Sequence, residues 1–177
     1  MPAITENRAQ SSKPKSARIV KAKSQPLQSP ARTSLPTRTT LVPRALAAGI
    51  DLGVDEPEDG AEPAPAHVRG IALLLREALL NLIDNAIRYA GRGATVTVRV
   101  RREGRTVRLE VEDNGPGVPE AEREHVFERF VRATSDGTGC GLGLAIVREI
   151  VERHAGRVML RAAQPAGVVA CVTLPAM

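Results

Sequence analysis

The stretch IALLLREALLNLIDNAIRYA, Ile71 to Ala90, reads as one long helix that is apolar on most sides and is stopped by Gly91 and Gly93. A helix this apolar belongs against a sheet rather than on a surface. It nevertheless carries Glu77, Asn81, Asn85 and Arg88 at spacings of four, four and three, which place all four on one face. Burying an amide without a partner costs about 1–3 kcal/mol. The stripe is therefore either a solvated edge or the wall of a ligand site. An Asn carbonyl suits a Mg²⁺-nucleotide complex, because a hard cation takes neutral oxygens together with phosphate and water, and Arg88 is placed to neutralise phosphate oxygens.

Outward from the helix, Thr95–Val100 and Thr106–Glu112 alternate Val or Leu with Arg, Thr or Glu around Glu103-Gly104, the pattern of an antiparallel hairpin with one wet face. Asp113-Asn-Gly-Pro-Gly117 ends the second strand in a tight turn. This is good turn chemistry in itself, but an acid at a strand end beside glycines also lets a backbone approach a ligand closely. A short helix is predicted over Pro119–Phe130, followed by the glycine-rich Gly137-Thr-Gly-Cys-Gly-Leu-Gly143. Leu144–His154 has the spacing of an amphipathic helix, and Arg157–Ala162 and Val168–Leu174 read as strands. On the other side, Arg44–Asp55 reads as a short strand before an acidic, Pro-rich loop from Glu56 to Pro65. Helices and strands mix without strict βαβ alternation, so the class is α+β: a mixed, mostly antiparallel sheet with helices on one face.

The composition divides the 177 residues in two. Residues 1–44 hold nine basic residues and one acid, with all four Lys, six of seven Ser and no Gly or aromatic residue; residues 45–177 hold sixteen basic and nineteen acidic residues. Residues 1–42 are accordingly expected to be a disordered basic tail and residues 43–177 the folded domain. No Lys follows Lys23, which excludes a lysine-bearing phosphate loop from the domain. Cys140 and Cys171 make neither a disulfide framework nor a metal cluster, and no apolar run reaches a membrane-spanning length of about 18 residues. Cys140 is read as a small filler in a tight loop, Cys171 as core, and His154 as a partner for the last carbonyls of its helix.

Gly139, Gly141 and Gly143 alternate directly before a helix, so backbone N–H groups there are able to cradle phosphate without lysine. Four segments in this order resemble the ATP-binding catalytic domain of bacterial sensor histidine kinases, a branch of the fold shared with gyrase, Hsp90 and MutL. Leu79–Tyr89 is similar to that family's N box and Asp113–Gly117 to its G1 box. Val126-Phe-Glu-Arg-Phe-Val-Arg132 is similar to the F box, and Gly139-Cys-Gly-Leu-Gly-Leu-Ala-Ile-Val147 to the G2 box. The resemblance spans residues 45 to 174 or so.

The resemblance implies a two-layer sandwich of the Bergerat type binding ATP and Mg²⁺. Asn85 would be the Mg²⁺ ligand, Asn81 and Arg88 would face the phosphates as the catalytic pair, and Tyr89 would lie by the adenine and ribose. Asp113 would accept the adenine amine, with Gly115, Gly117 and Val118 around the base. Phe127 and Phe130 would anchor a mobile lid running to Thr138 and containing Arg132. Gly139, Gly141, Leu142, Gly143 and Leu144 would complete the nucleotide contacts. ATPases of this fold carry a Glu four residues before the Mg²⁺ Asn to activate water. Asn81 stands there instead, which favours phosphoryl transfer to a side chain over hydrolysis.

The implied partners are a histidine-containing dimerisation domain and a response regulator. None of His67, His125 and His154 lies in an H-box context, so the chain looks truncated, a cytoplasmic piece of a membrane-anchored parent. The alternatives are a non-catalytic, ATP-dependent docking module, and a tail that binds nucleic acid or anionic lipid. The last is disfavoured because no aromatic residue interleaves the tail's charges, and nucleic acid is not an expected partner.

Overall fold

The computed structural model describes residues 37–55, 65–131 and 141–177. Three helices, α1 (Thr37–Ala48), α2 (Ala72–Tyr89) and α3 (Gly143–Arg153), accompany five strands: β1 (Asp51–Val54), β2 (Thr95–Glu103), β3 (Thr106–Asp113), β4 (Arg157–Ala162) and β5 (Val168–Pro175). The strands form one sheet in the order β1-β2-β3-β5-β4, with β1 parallel to β2 and every other pair antiparallel. This is the expected α+β sandwich with a mixed, mostly antiparallel sheet.

Alternation decides which face is covered. Val96 and Val98 of β2, Val111 of β3, Val158 of β4, and Ala170, Val172 and Leu174 of β5 are buried on one face. They meet Leu79, Leu82, Ile83, Ala86 and Ile87 of α2 and Val147, Ile150 and Val151 of α3 in a single core. The opposite face is held by cross-strand ion pairs. Arg99 bonds Asp55 at 2.9 Å and also Glu112, Arg161 meets Glu110 at 2.5 Å, and Arg108 meets Glu103 at 2.8 Å. Cys171 points to that face yet is buried there, and burial pushes its thiol pKa up. The core reading of Cys171 holds, whereas Cys140 lies outside the described residues.

Three expectations need correction. Arg44–Ala48 is not strand but the second half of α1, and only Asp51–Val54 pairs with the sheet. Leu41 and Ala45, four apart, bury one helical face in the core, and Gly49 at φ 71° ends the helix. That burial offsets the backbone N–H missing at Pro43, which sits inside the helix. By the same observation the fold begins before residue 43, since the helix starts at Thr37 and Leu41 is a core residue. The remainder of the expected tail, residues 1–36, lies outside the described residues.

Finally, Pro119–Phe130 is not a continuous helix but two single 3-10 turns, Glu120–Glu122 and His125–Phe127. Only Val126 and Phe127, adjacent in sequence, have core to reach there, and one turn seats both.

His154 does bond its own helix end, with Nδ1–H to the Ile150 carbonyl at 2.7 Å, and its Nε2 also accepts the Ile71 N–H at 3.0 Å. The imidazole thereby ties the last turn of α3 to the entry of α2. Ile83 is fully buried between α2 and the sheet, so Ile83→Ala should destabilise the chain by about 2–5 kcal/mol. Chemical denaturation measures this, and a loss below about 1 kcal/mol would contradict the core assignment.

Candidate functional site

A cavity of about 520 Å³ opens between α2, the turn after β3 and the start of α3. Its two ends differ in chemistry. At the polar end, Asn81, Asp84, Asn85 and Arg88 project from α2 and face Gly141 and Gly143. Gly143 sits so close that a Cβ there would lie 3.3 Å from Asn81 Oδ1 and 3.4 Å from Asn85 Nδ2. Asn81 donates to the Glu77 carbonyl at 3.0 Å and to its carboxylate at 3.3 Å. Asp84 is shared between Arg44 of α1 at 2.5 Å and Arg88 at 3.5 Å.

Among the described residues, Asn85 Nδ2 is buried with no hydrogen-bond partner, as is Asp84 Oδ1 apart from its ion pair with Arg44. Native interiors rarely leave such a group unpaired, because the lost hydrogen bond to water is not recovered. Opposite Asn85, α3 begins at Gly143, and its N-cap residue, Leu142, makes no side-chain cap, so among the described residues no side chain takes the N–H groups of its first turn.

At the apolar end, Val111, Val118, Val126, Leu142, Leu144, Leu160, Val168 and Ala170 line the wall, with Asp113, Pro116 and Gly117 at its base. The Asp113 carboxylate accepts the Gly115 N–H at 2.9 Å. Burial pushes its pKa above the ordinary value, against the opposing influence of the Gly115 and Val168 N–H groups. Asn114 Oδ1 accepts the Thr95 N–H at 2.8 Å and so fastens the turn to β2.

The structure thus brings together Asn81, Asn85, Arg88, Tyr89, Asp113, Gly117, Val118, Gly141, Leu142, Gly143 and Leu144 around one cavity. Three other predicted contacts are not among its lining. Gly115 is buried behind the turn, where a Cβ would come within 2.6 Å of the Ala90 Cα. Phe127 is in the core, with the Arg148 guanidinium 4.7 Å above its ring. Phe130 is 75% exposed at φ 67°, its N–H bonded to the Gly141 carbonyl at 2.9 Å. That bond joins Phe130, within the expected lid, to Gly141, beyond its expected end at Thr138. Arg132 and Gly139 fall outside the described residues.

Sequence reasoning passed over Leu160, Val168 and Ala170. Their only signal was strand alternation on β4 and β5, and nothing in that pattern tells which alternating residues reach a cavity. It also passed over Asp84, which lies within the N-box-like segment but was not singled out.

Among the described residues, no helix is long and apolar enough to cross a membrane, and no cluster of His, Cys, Asp and Glu is fit to hold a metal by itself.

Comparison with known proteins agrees with this geometry. The family model described as histidine kinase-, DNA gyrase B- and HSP90-like ATPase matches residues 70–177. The sensor protein kinase PmrB of Pseudomonas aeruginosa is 47% identical over 96 residues, 53% of this chain and 20% of that protein. The sensor protein KdpD of Escherichia coli is 36% identical over 131 residues, 71% of this chain and 14% of that protein. The chain therefore spans a fifth or less of the length of these two relatives. Among solved structures, the mycobacterial sensor histidine kinase MprB superposes with a TM-score of 0.66 at 34% identity, covering 81% of this chain and 93% of that one. The catalytic domain of histidine kinase ThkA gives 0.65 at 28% identity, covering 76% and 84%. The chain belongs to the histidine kinase-, DNA gyrase B- and HSP90-like ATPase family.

Proposed function

We propose that the cavity binds Mg²⁺-ATP and presents its γ-phosphate to a histidine on a separate dimerisation domain, as the catalytic part of a two-component sensor kinase. The observation that carries this reading is the buried, unpartnered amide of Asn85 facing the uncapped start of α3. A triphosphate laid between them satisfies the first-turn N–H groups and brings anionic oxygens to Arg88. Mg²⁺, when bound, neutralises charge on the transferring phosphoryl group. The side-chain oxygen of Asn85 would be the protein ligand to it, with the unpartnered Nδ2 donating to a phosphate oxygen and the other positions left to phosphate and water.

At the far end the base enters the apolar wall, and the Asp113 carboxylate accepts a hydrogen bond from the exocyclic amine. Asn81 carries no carboxylate with which to activate water, and Glu77 is exposed outside the cavity lining. The nucleophile is then an imidazole nitrogen of the partner, which forms the new N–P bond as the bond from γ-phosphorus to the bridging oxygen breaks and ADP leaves. None of the chain's own histidines, His67, His125 and His154, is among the residues lining the cavity, and His154 has both ring nitrogens engaged. A solved ThkA structure contains that kinase with the response regulator protein TrrA, and a response regulator is the corresponding downstream partner proposed for this chain.

Incubation with γ-labelled ATP, Mg²⁺ and a cognate H-box domain should give an acid-labile, base-stable phosphohistidine on that domain. Nucleotide binding without transfer to any such domain would instead favour a non-catalytic docking module. Asn85→Ala should weaken Mg²⁺-ATP binding more than about tenfold, some 1.4 kcal/mol, while the melting temperature stays within a few degrees of wild type. Calorimetric titration with and without Mg²⁺ checks this, and wild-type affinity in the variant would contradict the assignment.

Asp113 gives a separate test through pH. Its raised pKa means the folded chain holds the proton more tightly than the unfolded chain does. The resulting stabilisation is fully present below the ordinary value of 3.8 and is lost as pH rises through the folded value. At pH 7 the ionised group is therefore a cost to folding that an amide lacks. Asp113→Asn should melt at the same or a higher temperature than wild type at pH 7, with the gap closing towards pH 4, yet bind ATP poorly. A clearly lower melting temperature at pH 7 would contradict the burial argument.

A further inference from the structure

Gly167 lies outside the four segments that are similar to the family's boxes, yet it makes the tightest backbone approach among the described glycines. Its φ is +108°, and a Cβ built on it would overlap the Asp113 carbonyl oxygen and stand 2.7 Å from the Asp113 carbonyl carbon and 2.8 Å from the Asn114 Cα. The β4–β5 turn therefore rests directly on the backbone of the residue proposed to receive the base. The contact extends both ways. The Gly167 carbonyl accepts the Ala163 N–H at 3.1 Å, which closes the turn. The same carbonyl oxygen would stand only 3.2 Å from a Cβ on Gly117, itself at φ +83°.

One residue further on, Val168 is opposite Asp113 in the strand register, its N–H hydrogen-bonds to the Asp113 carboxyl, and its side chain lines the cavity. Three chain segments are stacked at this point without intervening side chains: the turn after β3, the β4–β5 turn and, beneath Gly115, the end of α2.

From this stacking we infer that Gly167 is a specificity-determining position for the nucleotide base. By admitting the β4–β5 turn onto Asp113, it sets the height and direction of the carboxylate, and with them the discrimination between an amine and a carbonyl on the purine. The inference rests on the nucleotide-site reading above and adds to it a positioning residue that does not itself touch the ligand. A carboxylate aimed at an exocyclic amine accepts its hydrogen bond but repels a carbonyl oxygen in the same place, and such a site rejects the analogue strongly only while its geometry is held. An added methyl at Gly167 pushes the turn and Asp113 apart, and the carboxylate loses its aim.

ATP and ITP differ at that exocyclic position and make the direct probe. Calorimetric titration of the full chain in Mg²⁺ should show wild type preferring ATP to ITP by more than about tenfold. In Gly167→Ala, ATP affinity should fall about tenfold while ITP affinity changes less than about threefold, so the preference narrows. A general loss of fold or of phosphate binding would lower both nucleotides equally, and that result would overturn the inference, as would an unchanged ATP to ITP ratio. If Gly167→Ala does not give a folded chain by circular dichroism, Ala163→Pro is the second variant. It removes the N–H that holds the Gly167 carbonyl and adds no atom beside Asp113, and it is judged by the same ratio. Wild type that binds neither nucleotide, or binds both equally, would sink the nucleotide-site reading itself. A wild-type preference preserved in the variants would sink only the role of Gly167.

Discussion

The structure depends on α2 being buried on one side and polar, facing the cavity, on the other. Leu79, Leu82, Ile83, Ala86 and Ile87 seal it to the sheet and to α3, while Asn81, Asp84, Asn85 and Arg88 are carried on the intervening positions to the cavity. The 3.6-residue period makes these two sets inseparable: a helix rotated to expose its polar stripe would expose its core residues too. The same burial that stabilises the domain thus holds the orphaned Asn85 amide in place.

Side chains fill the core between these elements, but around the cavity the turns and helix ends meet by close backbone contact. Gly143 brings the start of α3 against Asn81 and Asn85, Gly115 seats the turn after β3 on the end of α2, and Gly167 seats the β4–β5 turn on Asp113. With one Tyr, two Phe and no Trp in the whole chain, there are few large rings to bridge gaps, and glycine lets the segments meet directly. The open face of the sheet is stabilised differently, by a lattice of Arg, Asp and Glu pairs that remain partly in water and are individually weak.

Much of the fold was legible because its signals are local. The α2 pattern, the β2–β3 hairpin alternation around Gly104, and the amphipathic α3 each depend on neighbours a few residues apart. The failures were equally local in cause. Arg44–Val54 is apolar enough to read as strand, and only the burial of Leu41 and Ala45 against α2 shows its first half to be helix. For the cavity, polar and glycine-rich positions in ordered segments stood out, whereas Leu160, Val168 and Ala170 were indistinguishable from core residues. Phe127 and Phe130 drew attention through the segment similar to the F box, and the structure separates them into a core residue and an exposed one.

The amino-acid sequence by itself determined the class of the fold, the polar stripe on α2, and the absence of any lysine after Lys23, because residue type and spacing are one-dimensional properties. Tertiary structure alone decided that the stripe faces the start of α3, that Asn85 is left without a partner, and that the β4–β5 turn bears on Asp113. Those facts follow from strand register and helix rotation, which bring together residues more than fifty positions apart in the chain.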